Sequence, residues 1–188
     1  MKEIEQFKAL VVYWSKTGNT EKVKEAISKG MRKKGVTPTV KKVDEADQED
    51  FFNYDLVCIG APSYEFLPPP PMMDFLKRKL ALYRSKGYVK PCAPKVPGKN
   101  AIIFCTYCGC HTGMDEATTA GKLMRQVFEH IGFDVKAEWY VPGEFHGSEE
   151  HSTKGRLGDI RGRPNDEDLA KVESDTAELI SSLLSQRN

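Results

Sequence analysis

The sequence predicts an α/β protein of three layers, a doubly wound parallel sheet of five strands in the order 2-1-3-4-5 with helices on both faces. Three observations carry it. Apolar runs at Ala9–Trp14, Asp55–Gly60 and Lys99–Tyr107 are too continuous for half-exposed strands and suit strands buried on both faces. Amphipathic helical patterns separate these runs, so successive strands must point the same way. The chain, at 188 residues, is long enough for one domain, 1–188, with a full core.

The first strand, Ala9 to Trp14, passes through Ser15-Lys16-Thr17-Gly18-Asn19-Thr20 into a helix reaching Lys34. That helix has Val23, Ile27 and Met31 at four-residue spacing and Gly35 as its stop. Thr37 to Val43 is β-branched but polar, and Pro38 places it at a sheet edge. An acidic connection leads to the third strand. Four prolines, Pro68 to Pro71, then exclude regular structure until the last can open a helix that runs to Gly87. Residues 88–99 are proline-punctuated and form a connection.

The fourth strand ends at Tyr107 and is followed by Cys108-Gly-Cys-His-Thr-Gly113. A helix from Met114 to Ile131 comes next, opened by Thr112 with Asp115 and stopped by Gly132. Asp134 to Phe145 is the last strand. The C-terminal helix has Asn165 as its N-cap and places Leu169, Val172, Leu179/Ile180 and Leu183/Leu184 on one face. The loop between His146 and Asn165 exceeds the usual connection length, which tilts it towards a functional role. Its His146, His151, Arg156, Arg161 and Arg163 suit a phosphate-bearing ligand, a neighbouring subunit or pairing with nearby acids.

The stretch from Ser15 to Thr20 carries the chemistry. Hydroxyls and unpaired N–H groups at a helix N-terminus make a phosphate cradle, and Gly18 permits a turn that would strain other residues. It is neither a Walker A loop nor a G-x-G-x-x-G fingerprint. This loop resembles that of the flavodoxin-like family, S/T-x-T-G-N-T, which holds the phosphate of FMN. Two further stretches share the resemblance. One is Tyr54-Asp55…Gly60-Ala-Pro62-Ser63-Tyr64 with the proline-preceded helix after it; the other is Gly98-Lys99…Phe104-Cys-Thr106-Tyr107, where Cys108 stands in place of the family's Gly. All three loops follow strands one, three and four and so converge on one edge of the sheet.

The resemblance implies that Ser15, Lys16, Thr17, Gly18, Asn19 and Thr20 bind the FMN phosphate. It implies further that Pro62, Ser63, Tyr64, Glu65 and Phe66 line one face of the ring, and Thr106, Tyr107, Cys108 and Gly109 the other, with the Tyr107 ring next to the flavin. The function it implies is electron transfer between redox partner proteins, with an NAD(P)H-dependent FMN or quinone reductase of the same fold as the alternative. Either a monomer or a homodimer is compatible with it.

Composition narrows the partners. No apolar run approaches a membrane span and the N-terminus lacks a secretory pattern, so a soluble cytoplasmic protein is expected. The formal charge of +1 hides a segregation: Lys77–Lys99 holds eight basic residues and no acid, and Asp44–Asp55 holds six acids and no base. Solvated charge is the ordinary reading of the basic run, a docking face the sharper one. It lacks interleaved aromatics, and no nucleic-acid partner is expected. The odd count of five cysteines argues against a disulfide framework. The cluster of Cys105, Cys108, Cys110 and His111 allows a metal site or a redox pair. No second ligand pair is visible elsewhere in the sequence, so it reads as a buried strand thiol and two loop thiols, with no metal.

Overall fold

A computed structural model describes residues 6–187. In chain order its elements are β1 (Ala9–Tyr13), α1 (Asn19–Arg32), β2 (Thr39–Lys42), β3 (Leu56–Pro62), α2 (Pro70–Ser85), β4 (Asn100–Tyr107), α3 (Asp115–His130), β5 (Asp134–Pro142), α4 (Glu149–Thr153) and α5 (Asp166–Ser185). Every strand pairing is parallel and the order is β2-β1-β3-β4-β5, as the alternation predicts. Two details differ from expectation. The last strand stops at Pro142, three residues early, and the long loop after it contains the short helix α4.

The continuous apolar runs have a direct explanation, because each central strand feeds two cores with alternate residues. Leu10 and Val12 of β1 and Ile103 and Cys105 of β4 pack with Phe75 of α2 and Phe128 of α3. Ala9, Val11 and Tyr13 of β1 and Ile102 and Phe104 of β4 point the other way, onto Val23, Ile27 and Met31 of α1 and Ile180 of α5. Helices α1 and α5 meet so closely at Gly30 that a β-carbon there would run into the main-chain oxygen of Glu173 and the side chain of Thr176.

The segregated charges lie against each other. Arg78 of α2 grips the Asp47 carboxylate with Nε and Nη2 at 3.0–3.2 Å, and Lys86 pairs with Asp50 at 2.9 Å. Lys99 donates to the carbonyls of Phe52 and Tyr54 at 2.7 and 3.0 Å. Lys79, only 2% exposed, donates to the carbonyls of Asp47 and Glu49 and lies over the rings of Phe51 and Phe75. The acidic connection, which includes one 3-10 turn at Phe51–Asn53, is thus held down by basic side chains that donate to its carbonyls.

Candidate functional site

The loops after β1, β3 and β4 meet at the carboxyl edge of the sheet. Trp14 N–H donates to Gly60 O at 3.0 Å, and Ser63 N–H to Thr106 O at 2.8 Å, so each loop leaves its strand tied to its neighbour. Thr20 and Thr106, both buried, share a hydroxyl hydrogen bond of 2.7 Å that joins the start of α1 to the end of β4. The Ser63 hydroxyl donates to Glu116 O at 2.6 Å, which adds α3.

The N-terminus of α1 is open. Gly18 occupies the cap position at φ +97°, and no side chain caps the helix. The N–H groups of its first turn therefore face outward without an intrahelical acceptor. Asn19 does not cap; its amide donates across to Glu144 O at 2.9 Å, beside Gly143. The Ser15 hydroxyl accepts from Gly18 N–H at 3.2 Å and shapes the turn, while Lys16 and Thr17 are exposed. These features suit a phosphate dianion, which takes up the orphan donors and the positive end of the helix dipole.

Apolar surface gathers around this opening. Of seven large exposed hydrophobic side chains among the described residues, five stand on loops at this edge: Tyr64, Phe66, Leu67, Met114 and Phe145. Tyr64 and Leu67 exchange both main-chain hydrogen bonds across a two-residue turn, with Glu65 and Phe66 at φ +49° and +70°. The turn holds Phe66 outward, 58% exposed. Tyr64 meets Trp14 edge to face at 5.7 Å, and burial raises the pKa of its phenol. Such a patch, rimmed by polar groups, is what a flat heteroaromatic ring would cover.

Tyr107 behaves differently from expectation. Its ring is 8% exposed and packs in the core shared with α2 and α3. Pointing to the same side as Ile103 and Cys105, it offers the edge its main chain, whose carbonyl accepts from Gly143 N–H at 2.8 Å. Gly109, at φ +64°, sits so close to this ring and to Gly113 that a β-carbon would come within 2.9 Å of either.

The sequence reading missed several members of this edge. Trp14, Glu144, Met114 and Phe145 have no local motif to mark them. Cys105 is fully buried, and burial pushes its thiol up to about 12, so it is an inert strand thiol as expected. Burial and the adjoining Cys110 thiol push Cys108 up to about 11. In the long loop, Arg161 pairs with Asp159, and Arg163 with Asp168. Arg156 has no acidic partner among the described residues; its side chain lies near Gly113. Thr112 does not open α3. The Glu116 carboxylate accepts from the N–H groups of His111 and Thr112 at 2.7 Å each, taking the place of a hydroxyl cap.

The model of the Flavodoxin family matches residues 11–138, from β1 into β5. The chain belongs to the flavodoxin family. With the family come FMN as redox cofactor and electron transfer as function. A flavodoxin of Aquifex aeolicus is 29% identical over 162 residues, covering 80% of this chain and 83% of that protein. An FMN-dependent NADH:quinone oxidoreductase of Pseudomonas syringae is 29% identical over 107 residues, 54% of this chain and 52% of its own length. The solved structure of oxidised flavodoxin 2 from Bacillus cereus superposes with a TM-score of 0.64 at 16% identity, covering 93% of this chain and 98% of that one. No helix among the described residues is long and apolar enough to cross a membrane.

Proposed function

We propose that this flavodoxin holds the FMN phosphate at Ser15, Lys16, Thr17, Gly18, Asn19 and Thr20 and carries electrons between cytoplasmic partner proteins. Pro62, Ser63, Tyr64, Glu65 and Phe66 border the ring on one side, and Thr106, Tyr107, Cys108 and Gly109 on the other, Tyr107 through its main chain. The bound flavin supplies the one- and two-electron chemistry. The protein supplies first-turn N–H donors, the Thr17 hydroxyl and the Lys16 charge for the phosphate, and apolar side chains that keep water from the ring. Each chain carries a whole site, whether it acts as a monomer or a homodimer.

The single observation behind this reading is the uncapped helix at Gly18 set beside five exposed apolar side chains. Binding titrations test it. FMN should bind far more tightly than riboflavin, because the phosphate contacts are the specific ones; equal affinities would remove the basis for the assignment.

A second reading, an NAD(P)H-dependent reductase, is favoured by Arg156, a guanidinium near the site with no acidic partner among the described residues. Anaerobic mixing of the FMN-loaded protein with NADH or NADPH separates the two. A carrier stays oxidised until a reductase is added, whereas a reductase bleaches its flavin directly.

A further inference from the structure

The sequence offers Cys108, Cys110 and His111 with no second ligand segment, and the fold supplies one. Helix α4 brings His151 back across the loop after β4, where the ligand atoms of Cys110, His111 and His151 all lie within 4.8 Å of one another. The rings of His111 and His151 meet at 5.7 Å, and neither has a hydrogen-bond partner for its ring nitrogens among the described residues. Cys108 stands beside them, its Sγ donating to His151 O at 3.7 Å.

The two loops are fastened together at this point. Arg156 N–H donates to Cys110 O at 2.8 Å, and a β-carbon on Gly155 would come within 2.8 Å of Cys110 Cα. The Ser148 hydroxyl caps α4 by accepting from His151 N–H, and buried Ser152 bonds both the N–H and the carbonyl of Phe145. The imidazole of His151 is therefore delivered by a braced element.

We propose that Cys108, Cys110, His111 and His151 form a tetrahedral site for a divalent cation of the zinc class. Zinc bonds of about 2.0–2.3 Å put tetrahedral ligands roughly 3.4–3.8 Å apart, so the three atoms within 4.8 Å need close by only about 1 Å. Side-chain rotation of exposed His111 and of Cys110 closes the trio, and the Cys108 thiol, which lies outside it, turns in from its contact with His151 O to complete the four. Two sulfurs and two imidazoles select zinc, cobalt or copper; magnesium and calcium want oxygen. On binding, each thiol transfers its proton to solvent and becomes a thiolate ligand, so uptake of the ion releases protons. With four protein ligands the site is closed, and its effect is to lock the loop carrying Phe145 and α4 onto the loop after β4.

Cys108 is shared with the proposed flavin wall, but the test reads the metal and not the flavin, so failure of one assignment is distinguishable from failure of the other. The full-length, FMN-loaded protein is reduced, freed of metal and titrated with zinc under native mass spectrometry, and with cobalt under difference absorption. The expected result is a mass increment of one zinc per chain, an intense sulfur-to-cobalt charge-transfer band and slower tryptic cleavage at Lys154 and Arg156. Cys110→Ser and His151→Ala should each lose all three, while His130→Ala, altered at an exposed histidine of α3, should retain them. Circular dichroism of the metal-free variants confirms that they fold. Absence of the thiolate band, or a band that His151→Ala leaves intact, overturns the proposal.

Discussion

The hydroxyls of Thr20 and Thr106 lie 2.7 Å apart in the interior, one at the first turn of α1 and the other near the end of β4. This bond fixes the loop after β1, where we place the phosphate, relative to the end of β4. Replacing either residue by Val strands the remaining hydroxyl in the core, which should cost about 1–3 kcal/mol. Replacing both should cost less than the sum of the single changes. Denaturant unfolding of the two single variants and the double variant measures this, and additive losses would show that the bond is not coupled.

Thr17 is exposed and touches nothing that the fold needs. Thr17→Ala should therefore weaken FMN binding by about 1.5–3 kcal/mol, the scale of a hydrogen bond to a charged group. The melting temperature of the flavin-free chain should not change. An unaltered dissociation constant places the phosphate elsewhere.

At Gly30 helices α1 and α5 pack tightly. A methyl group there meets the main chain of Glu173, which cannot rotate away. Gly30→Ala should destabilise the protein by about 1–3 kcal/mol through overpacking, despite alanine's better helix propensity. Thermal unfolding gives the sign.

Asp168 links the start of α5 to the long loop. Burial alone would raise its pKa, but the Arg163 guanidinium and the Asn165 N–H outweigh this and hold its carboxyl below the usual range. A depressed carboxyl contributes stability that is present above its unfolded value, about 3.9, and is lost as pH falls through the folded value. Asp168→Asn should cost about 1 kcal/mol at neutral pH, as a lost helix cap does. It should also flatten the acid limb of the stability profile below roughly pH 4. Urea midpoints measured between neutral and acid pH test both effects.

What could be read from the sequence was local. The four-residue spacing of Val23, Ile27 and Met31 identified the buried face of α1, and Asn165 forms its capping box with Asp168 because both partners lie within one turn. The polar, proline-bearing stretch after Gly35 became edge strand β2 for the same reason. The Tyr107 ring, expected at the edge from its position at a strand end, lies in the core, and strand parity held the answer, since it shares a side with Ile103 and Cys105. His151 was unreadable beside Cys110, because a contact across the whole of α3 and β5 exists only once the sheet is assembled. The Glu65–Phe66 turn was hidden too, as neither residue announces a left-handed backbone.

The pairing of the acidic connection with α2 and the residues after it bears on how partners find this protein. Opposite charges that occupy separate stretches of sequence cancel within a few ångströms in the fold, at Arg78 with Asp47 and Lys86 with Asp50. These pairs neutralise part of each run and so weaken the single-signed field that could draw a partner from beyond a Debye length of about 8–10 Å. Encounter should be governed by the apolar rim around Phe66 and Phe145, so the rate of electron exchange with a redox partner should change little as ionic strength rises. Stopped-flow measurements across a salt series would show a nearly flat profile.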